Sequence, residues 1–453
     1  DGSQWSIRRS CYIFNAESTN KTLLIDNTTF AAGFSNIGQF YFGGAGVSNR
    51  IAFAGTGKLS VYDLVYGAGG EDLLITNGAN WDLRRSATIF NGGDCTNRVL
   101  TVSNTTFVVG LSNNGSLTFG QYGLSNEIRI IDGGKISTFS LIYGGGGVDL
   151  LVTSSNQWDI RNFANIFSTS NSIGKSLIVS NTVFRVGDSN AGELTFGADG
   201  ASNRIVFLDG GKIVVRSLKY EGGAESLLLT NSSQFEIGLS ATFFSQGPAT
   251  NKSLTISNAV LQIGATTNGS FSFGTTGSMN QLVLQENGRL LTRDFTYGGG
   301  AVDFVYSNTN QILILGSATV FDTGATNKSL TISNVTFAPG LGNDSTFTFA
   351  TTGTNNRIVF LDGGKVDVVN LKYGGGAEDL LITNSTQFTV RKNAEFFNSG
   401  APTNKTLTVS NAIFSAGFMS NGAFTFATVG ASNRLLLLEG AKLQTHDFVY
   451  GNG

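Results

Sequence analysis

Charge is scarce in this sequence. Asp, Glu, Lys and Arg make up 13% of 453 residues, and the net charge is −2, against the usual quarter or so of a soluble domain. With neither a basic block nor an acidic tail, nothing recommends nucleic acid or an anionic membrane as a partner. Solubility then falls to Asn, Ser, Thr and Gly. Histidine is rarer still: His446 stands alone, in Gln-Thr-His-Asp-Phe, and reads as a surface strand residue. One His and two Cys cannot build a zinc cluster or a recurring Ser-His-Asp arrangement. No Walker-type phosphate loop occurs. No apolar run reaches the eighteen or so residues of a membrane span. No signal peptide is visible at Asp1, as in a mature chain after processing.

Cysteine and proline are also few, at 2 and 3 residues. Cys11 and Cys95 lie about one repeat apart, which at three coils per repeat is roughly 14 Å, too far for a disulfide. Both are expected to be small buried or turn residues. What the chain has instead is 60 Gly, 35 Phe and 40% hydrophobic residues. That composition buries a large core and turns often, and it is not that of a disordered chain.

Repetition dominates the rest. Tyr66, Tyr143, Tyr220, Tyr297, Tyr373 and Tyr450 stand 77, 77, 77, 76 and 77 apart. Asn49, Asn126, Asn203, Asn280, Asn356 and Asn433 keep the same intervals, as does the basic series Lys58, Lys135, Lys212, Arg289, Lys365 and Lys442. Within a unit, Leu380, Leu407 and Leu435 each open a short β-run closed by Asn or an acid, 27 and 28 residues apart. Alternation with period two, as in residues 253–257 and 346–349, argues strands, and the Gly and Asn-Gly punctuation would break helices. The expected fold is all-β: a right-handed parallel β-helix, six repeats of about 77 residues with three coils each. It forms one continuous solenoid over 1–453. A six-bladed propeller is the rival, and it requires antiparallel hairpins.

Several columns follow from stacking. Phe30, Phe107, Phe184, Leu261, Phe337 and Phe414 are core candidates, as are Phe14, Phe90, Phe167, Phe244, Phe321 and Phe397. Asn27, Asn104, Asn181, Asn258, Asn334 and Asn411 are expected in turn ladders with Asn77, Asn231, Asn384 and neighbouring acids. The pattern Asp132-Gly-Gly-Lys135 recurs at Asp209/Lys212 and Asp362/Lys365, with Glu286/Arg289 and Glu439/Lys442 following suit. Each base is expected to pair with the acid three residues before it, as a solvated turn pair. Asp72, Asp149, Asp303 and Asp379 recur at a strand start, in register, whereas a carboxylate active site must depart from its scaffold. The Gly-rich runs ending at Asp149 and Asp303 approach a calcium nonapeptide but are not in tandem. Asn20, Asn251, Asn327 and Asn404 head Asn-x-Ser/Thr triplets on one edge, a pattern open to glycosylation. No catalytic, cofactor-binding or metal-ligating residue is assigned.

Tandem Leu-x-Ile-x-Asn coils, low charge and Gly/Asn/Thr richness resemble bacterial extracellular parallel β-helix proteins, the autotransporter passengers and surface adhesins. The resemblance implies export to the cell surface and a structural or adhesive role without enzymatic activity. The expected function is a head-to-tail subunit of a fibre, stalk or sheath. The main alternative is an adhesin binding glycans or another cell, with a polysaccharide lyase or hydrolase behind it. The partner is then the chain itself, end to end, or a cell-surface polysaccharide. The ends carry the first expectation: Asp1-Gly-Ser-Gln-Trp5 aligns with the middle of a coil, and Gly453 falls at a coil boundary. Neither looks capped.

Overall fold

Hydroxyl and apolar residues alternate in short runs, and each run becomes a strand with its apolar side inward. Ser253–Ser257 buries Leu254 and Ile256, and Thr346–Phe349 buries Phe347 and Phe349. In the computed structural model every residue is described except 1–3, 34–37, 77–79, 93, 111–113, 155–156, 188–191, 231–233, 248, 265–267, 308–310, 323, 341–343, 385–386 and 418–420. Asp1 to Ser3, Asn77 and Asn231 therefore lie outside the described residues.

No helix occurs among the described residues, and the described strand pairings are parallel. The chain is a parallel β-solenoid of stacked coils, and the propeller is excluded. Each coil supplies one strand to a first face and two to the faces that follow. On the first face Leu73 pairs with Leu100 and Leu100 with Ile128, steps of 27 and 28 residues. On the next, Lys58 pairs with Asn80, a step of 22. Two compact units are present: Asp1–Glu225 with Ser233–Glu236, and Ser226–Ser232 with Ile237–Gly453.

The core of the first unit is an aromatic column. Phe42, Tyr66, Phe90, Phe119, Tyr143, Phe167, Phe196 and Tyr220 follow one another at ring-centroid distances of 5.2–6.1 Å. Such contacts add about 0.5–1.5 kcal/mol per pair beyond the area buried. The second unit repeats the arrangement from Phe244 through Phe273, Tyr297, Phe321, Phe349, Tyr373, Phe397 and Phe426 to Tyr450. Both Phe series read from the sequence as core are buried, except Phe14, which is half-buried.

The Phe14 series holds a surprise in its backbone. All six residues sit at φ between 50° and 57°, a left-handed conformation that opposes a bulky side chain by about 1–2 kcal/mol. The twist turns each ring into the column, while the backbone ladder continues: Phe90 N–H donates to Tyr66 O at 2.9 Å and Phe167 N–H to Tyr143 O at 2.8 Å. Burial of the ring outweighs the local strain, at about 1.5–3 kcal/mol for a buried Phe.

Asn49 and its equivalents are the other internal device. Asn49 is fully buried in the coil that follows Ser18 and Lys21. Its Nδ2 donates to Ser18 O (2.9 Å) and Gly69 O (3.0 Å), and its Oδ1 accepts from Lys21 N–H (3.1 Å). One amide thus clamps three successive coils. Asn126, Asn203 and Asn356 repeat all three bonds. Asn280 and Asn433 keep the bonds to the preceding coil.

Candidate functional site

The carboxylates are the first candidates for chemistry, and the fold uses them as strand caps. Asp72 Oδ1 accepts from Val99 N–H at 2.9 Å, Asp149 from Ser176 at 2.7 Å, Asp303 from Ser329 at 2.8 Å and Asp379 from Thr406 at 2.7 Å. In each case the donor opens the strand one coil on. Ser226 stands at that place in another repeat and does the same for Ser253 N–H at 2.9 Å. A hydroxyl replacing an acid without loss of the bond marks the position as a cap.

The expected pairing of acid and base three residues apart is not what forms. Asp132, Asp209 and Asp362 lie at left-handed corners, with φ of 49–52°. Their carboxylates turn toward the coil before and accept from Ser103, Ser180 and Ser333 at 2.9–3.0 Å. Glu286 and Glu439 accept from Ser257 and Ser410 in the same way. Two of the basic series meet acids one coil on: Lys58 lies 3.6 Å from Asp82, and Lys212 2.6 Å from Glu236. The hydrogen bond from Lys212 holds the Glu236 carboxyl below its ordinary range. None of the described ion pairs joins an acid and a base three residues apart.

The Asn27 column also differs from a ladder of side-chain amides. Asn27, Asn104, Asn181, Asn258, Asn334 and Asn411 occupy left-handed corners at φ of 47–53°. They join the next coil through the backbone, as in Asn27 N–H to Ala54 O at 3.1 Å and Asn411 N–H to Leu438 O at 3.1 Å, and at Asn27 the side chain adds to this, its Oδ1 accepting from Thr56 N–H at 3.1 Å. Asn20, Asn251, Asn327 and Asn404 form a second exposed left-handed corner. Asn tolerates this conformation better than other non-Gly residues, which accounts for its recurrence at both corners.

His446 falls at the bend between the strands Lys442–Thr445 and Asp447–Tyr450, not within a strand. It is exposed, with Nδ1 3.3 Å from Asp447 Oδ2. Cys11 and Cys95 are free thiols, and burial pushes both upward in pKa. The hydroxyls of Tyr66, Tyr143 and Tyr373 donate to the carbonyl five residues on at 3.0–3.1 Å. Desolvation raises their pKa values, and those of Tyr220 and Tyr297, well above the ordinary range. Among the described residues no group of three His, Cys, Asp or Glu side chains is placed to hold a metal ion.

One cleft breaks this uniformity. A groove of about 330 Å³ in the first unit is lined by Gln121, Tyr122, Ile142, Asn165, Ser170 and Asp199, among others. Tyr122 is 52% exposed. Asn165 Oδ1 is buried without a hydrogen-bond partner. The positions equivalent to Tyr122 hold Ala45, Asp199, Thr276, Thr352 and Val429, and those equivalent to Asn165 hold Tyr12, Thr88, Thr242, Thr319 and Glu395. These departures are single substitutions inside an intact repeat, so a search for an acid patch or an insertion passes over them. The signal was a column whose residue type fails to recur.

Comparison with family models, curated proteins and solved structures gives no match.

Proposed function

We propose that the chain is a non-enzymatic structural protein of an extracellular surface, a solenoid that assembles end to end with copies of itself into a fibre, stalk or sheath. One observation carries the reading. The recurring polar side chains are engaged in holding coil to coil: the Asn49 series, the Asp72 series and the Asp132 series all bond to the neighbouring coil. A scaffold needs such bonds, whereas a reaction centre needs groups left over for substrate.

End-to-end contact is supported by the coil itself. Its two edges present parallel strands that pair with a like edge, and the two faces differ, so contact is heterologous and runs on unless it closes. Extracellular placement is favoured by a surface that relies on Asn, Ser, Thr and Gly for solubility. The test is sedimentation velocity across a hundredfold range of concentration, with negative-stain microscopy of the same samples. Particles that lengthen with concentration are expected. A single monomeric species throughout would remove the assembly reading.

A second reading is an adhesin or passenger whose flank binds glycans or another cell. The groove at Tyr122 favours it, because an adhesin requires a local departure from the repeat.

A further inference from the structure

We propose that the groove running from Tyr122 to Asp199 is a binding site for an uncharged oligosaccharide. Tyr122 and Asp199 occupy the same place in successive repeats. Three coils at about 4.8 Å each separate them by roughly 14 Å along the axis, which suits a short oligomer better than a single sugar. The volume of about 330 Å³ falls at the small end of ligand sites, which run from about 300 Å³ upward.

The side chains supply complementary chemistry. Tyr122 presents an exposed aromatic face on which the C–H face of a pyranose can lie. Asp199 has no partner among the described hydrogen bonds and ion pairs, so its two oxygens remain to accept from adjacent sugar hydroxyls. Charge-assisted bonds of that kind are the stronger sort. Asn165 Oδ1, buried and unpartnered, gains an acceptor's bond when its amide swings toward a ligand hydroxyl. Such an orphan otherwise costs about 1–3 kcal/mol. No Lys or Arg lines the groove. With a carboxylate present and no base to offset it, a uronate or a phosphorylated sugar is repelled.

The repeat itself supplies controls that fold. Tyr122→Ala, Asn165→Thr and Asp199→Thr each install a residue that another repeat already carries at that place, at Ala45, Thr88 and Thr276. The whole chain is titrated by calorimetry with glucose, galactose, mannose and N-acetylglucosamine oligomers of two to six units, and with galacturonate oligomers. At least one neutral series is expected to bind, and each substitution to weaken it about tenfold; galacturonate is expected not to bind. The proposal is overturned if no neutral series binds, if galacturonate binds as well as any of them, or if the triple variant matches the parent. Sedimentation of the triple variant reads the assembly separately, so loss of sugar binding and loss of self-association are distinguishable.

Discussion

The two compact units turn the same corner in different ways. In the first, five strands run unbroken across the second and third faces, Lys58–Tyr66, Asn80–Ile89, Lys135–Tyr143, Gln157–Ile166 and Lys212–Tyr220, while other coils divide there, as at Thr106–Val109 and Ser116–Phe119. The bend is absorbed by a register shift, between Val61 and Asp63 and between Thr138 and Ser140. In the second unit Phe235–Phe243, most of which lies there, is still whole, and after it the equivalent stretch divides, into Arg289–Thr292 and Asp294–Tyr297, then Lys365–Val368 and Asn370–Tyr373. Burial does not change. Leu59, Val61, Leu64 and Tyr66 are as enclosed as Leu290, Thr292, Phe295 and Tyr297. The inward column therefore fixes the coil, and backbone continuity at the corner is incidental to it.

Polar support at the corner differs as well. Asp63, almost fully buried, takes a bidentate bond from Arg85, whose Nε lies 2.8 Å from Oδ1, and a further bond from Ser86 N–H. That bond pushes the Arg85 guanidinium pKa up, and the side chain lies over the Tyr62 ring at 4.8 Å. Asp294 holds the equivalent place, accepts from Ser317 N–H at 2.8 Å and faces Gly316 where Arg85 would be.

Alkaline pH should abolish the distinction altogether. Tyr66, Tyr143 and Tyr220 in the first unit, and Tyr297 and Tyr373 in the second, hold their protons more tightly when folded. Their contribution is whole below the unfolded tyrosine value near 10 and is lost as pH rises above it. Far-UV circular dichroism and tyrosinate absorbance, followed upward from about pH 8, should change together. Tyrosinate appearing for all five while the β-signal persists would refute the burial argument.

The amide clamps test whether the units share one internal support. Asn126→Ala and Asn356→Ala each strip three bonds from a buried site and should cost about 3 kcal/mol. Urea unfolding gives the total, and hydrogen exchange assigns the loss to a unit. Similar losses are expected in both; a neutral result in either would show that the clamp is ornamental there.

The smallest effect should fall on the corner acids, and here the units should part. Asp63→Ala leaves Arg85 and Ser86 N–H without their acceptor and is expected to cost about 2 kcal/mol, below a fully buried pair because Arg85 is partly exposed. Asp294→Ala removes one backbone bond, about 1 kcal/mol. Equal urea midpoints for the two variants would mean that the ion pair at the first corner adds nothing.

Much of the fold was legible because it repeats. Period-two alternation and the recurring Tyr, Asn and Phe determined strand, parallel stacking and core. Backbone handedness at the corners was not legible: nothing in a Phe announces φ near 50°, and the preference of the residue runs against it. The same blindness misdirected Asp132 toward Lys135, since a left-handed turn sends the carboxylate to Ser103 instead. Asn49 was visible as a period mark but not as a clamp, because its three partners are backbone atoms that carry no residue signature. The groove was hidden for the opposite reason, being three side chains that fail to repeat.

The clamp at Asn49 also sets how such a chain can change its size. Asn49, Asn126, Asn203 and Asn356 each grip the coil before and the coil after, so the three coils they join are complete only as a set. Duplicating or deleting a whole set returns every strand to a neighbour that already fits it. Adding a single coil leaves that coil outside any grip and puts a 22-residue step where a 27-residue step belongs. A change of length by whole repeats therefore keeps every grip in place, whereas a change by one coil does not.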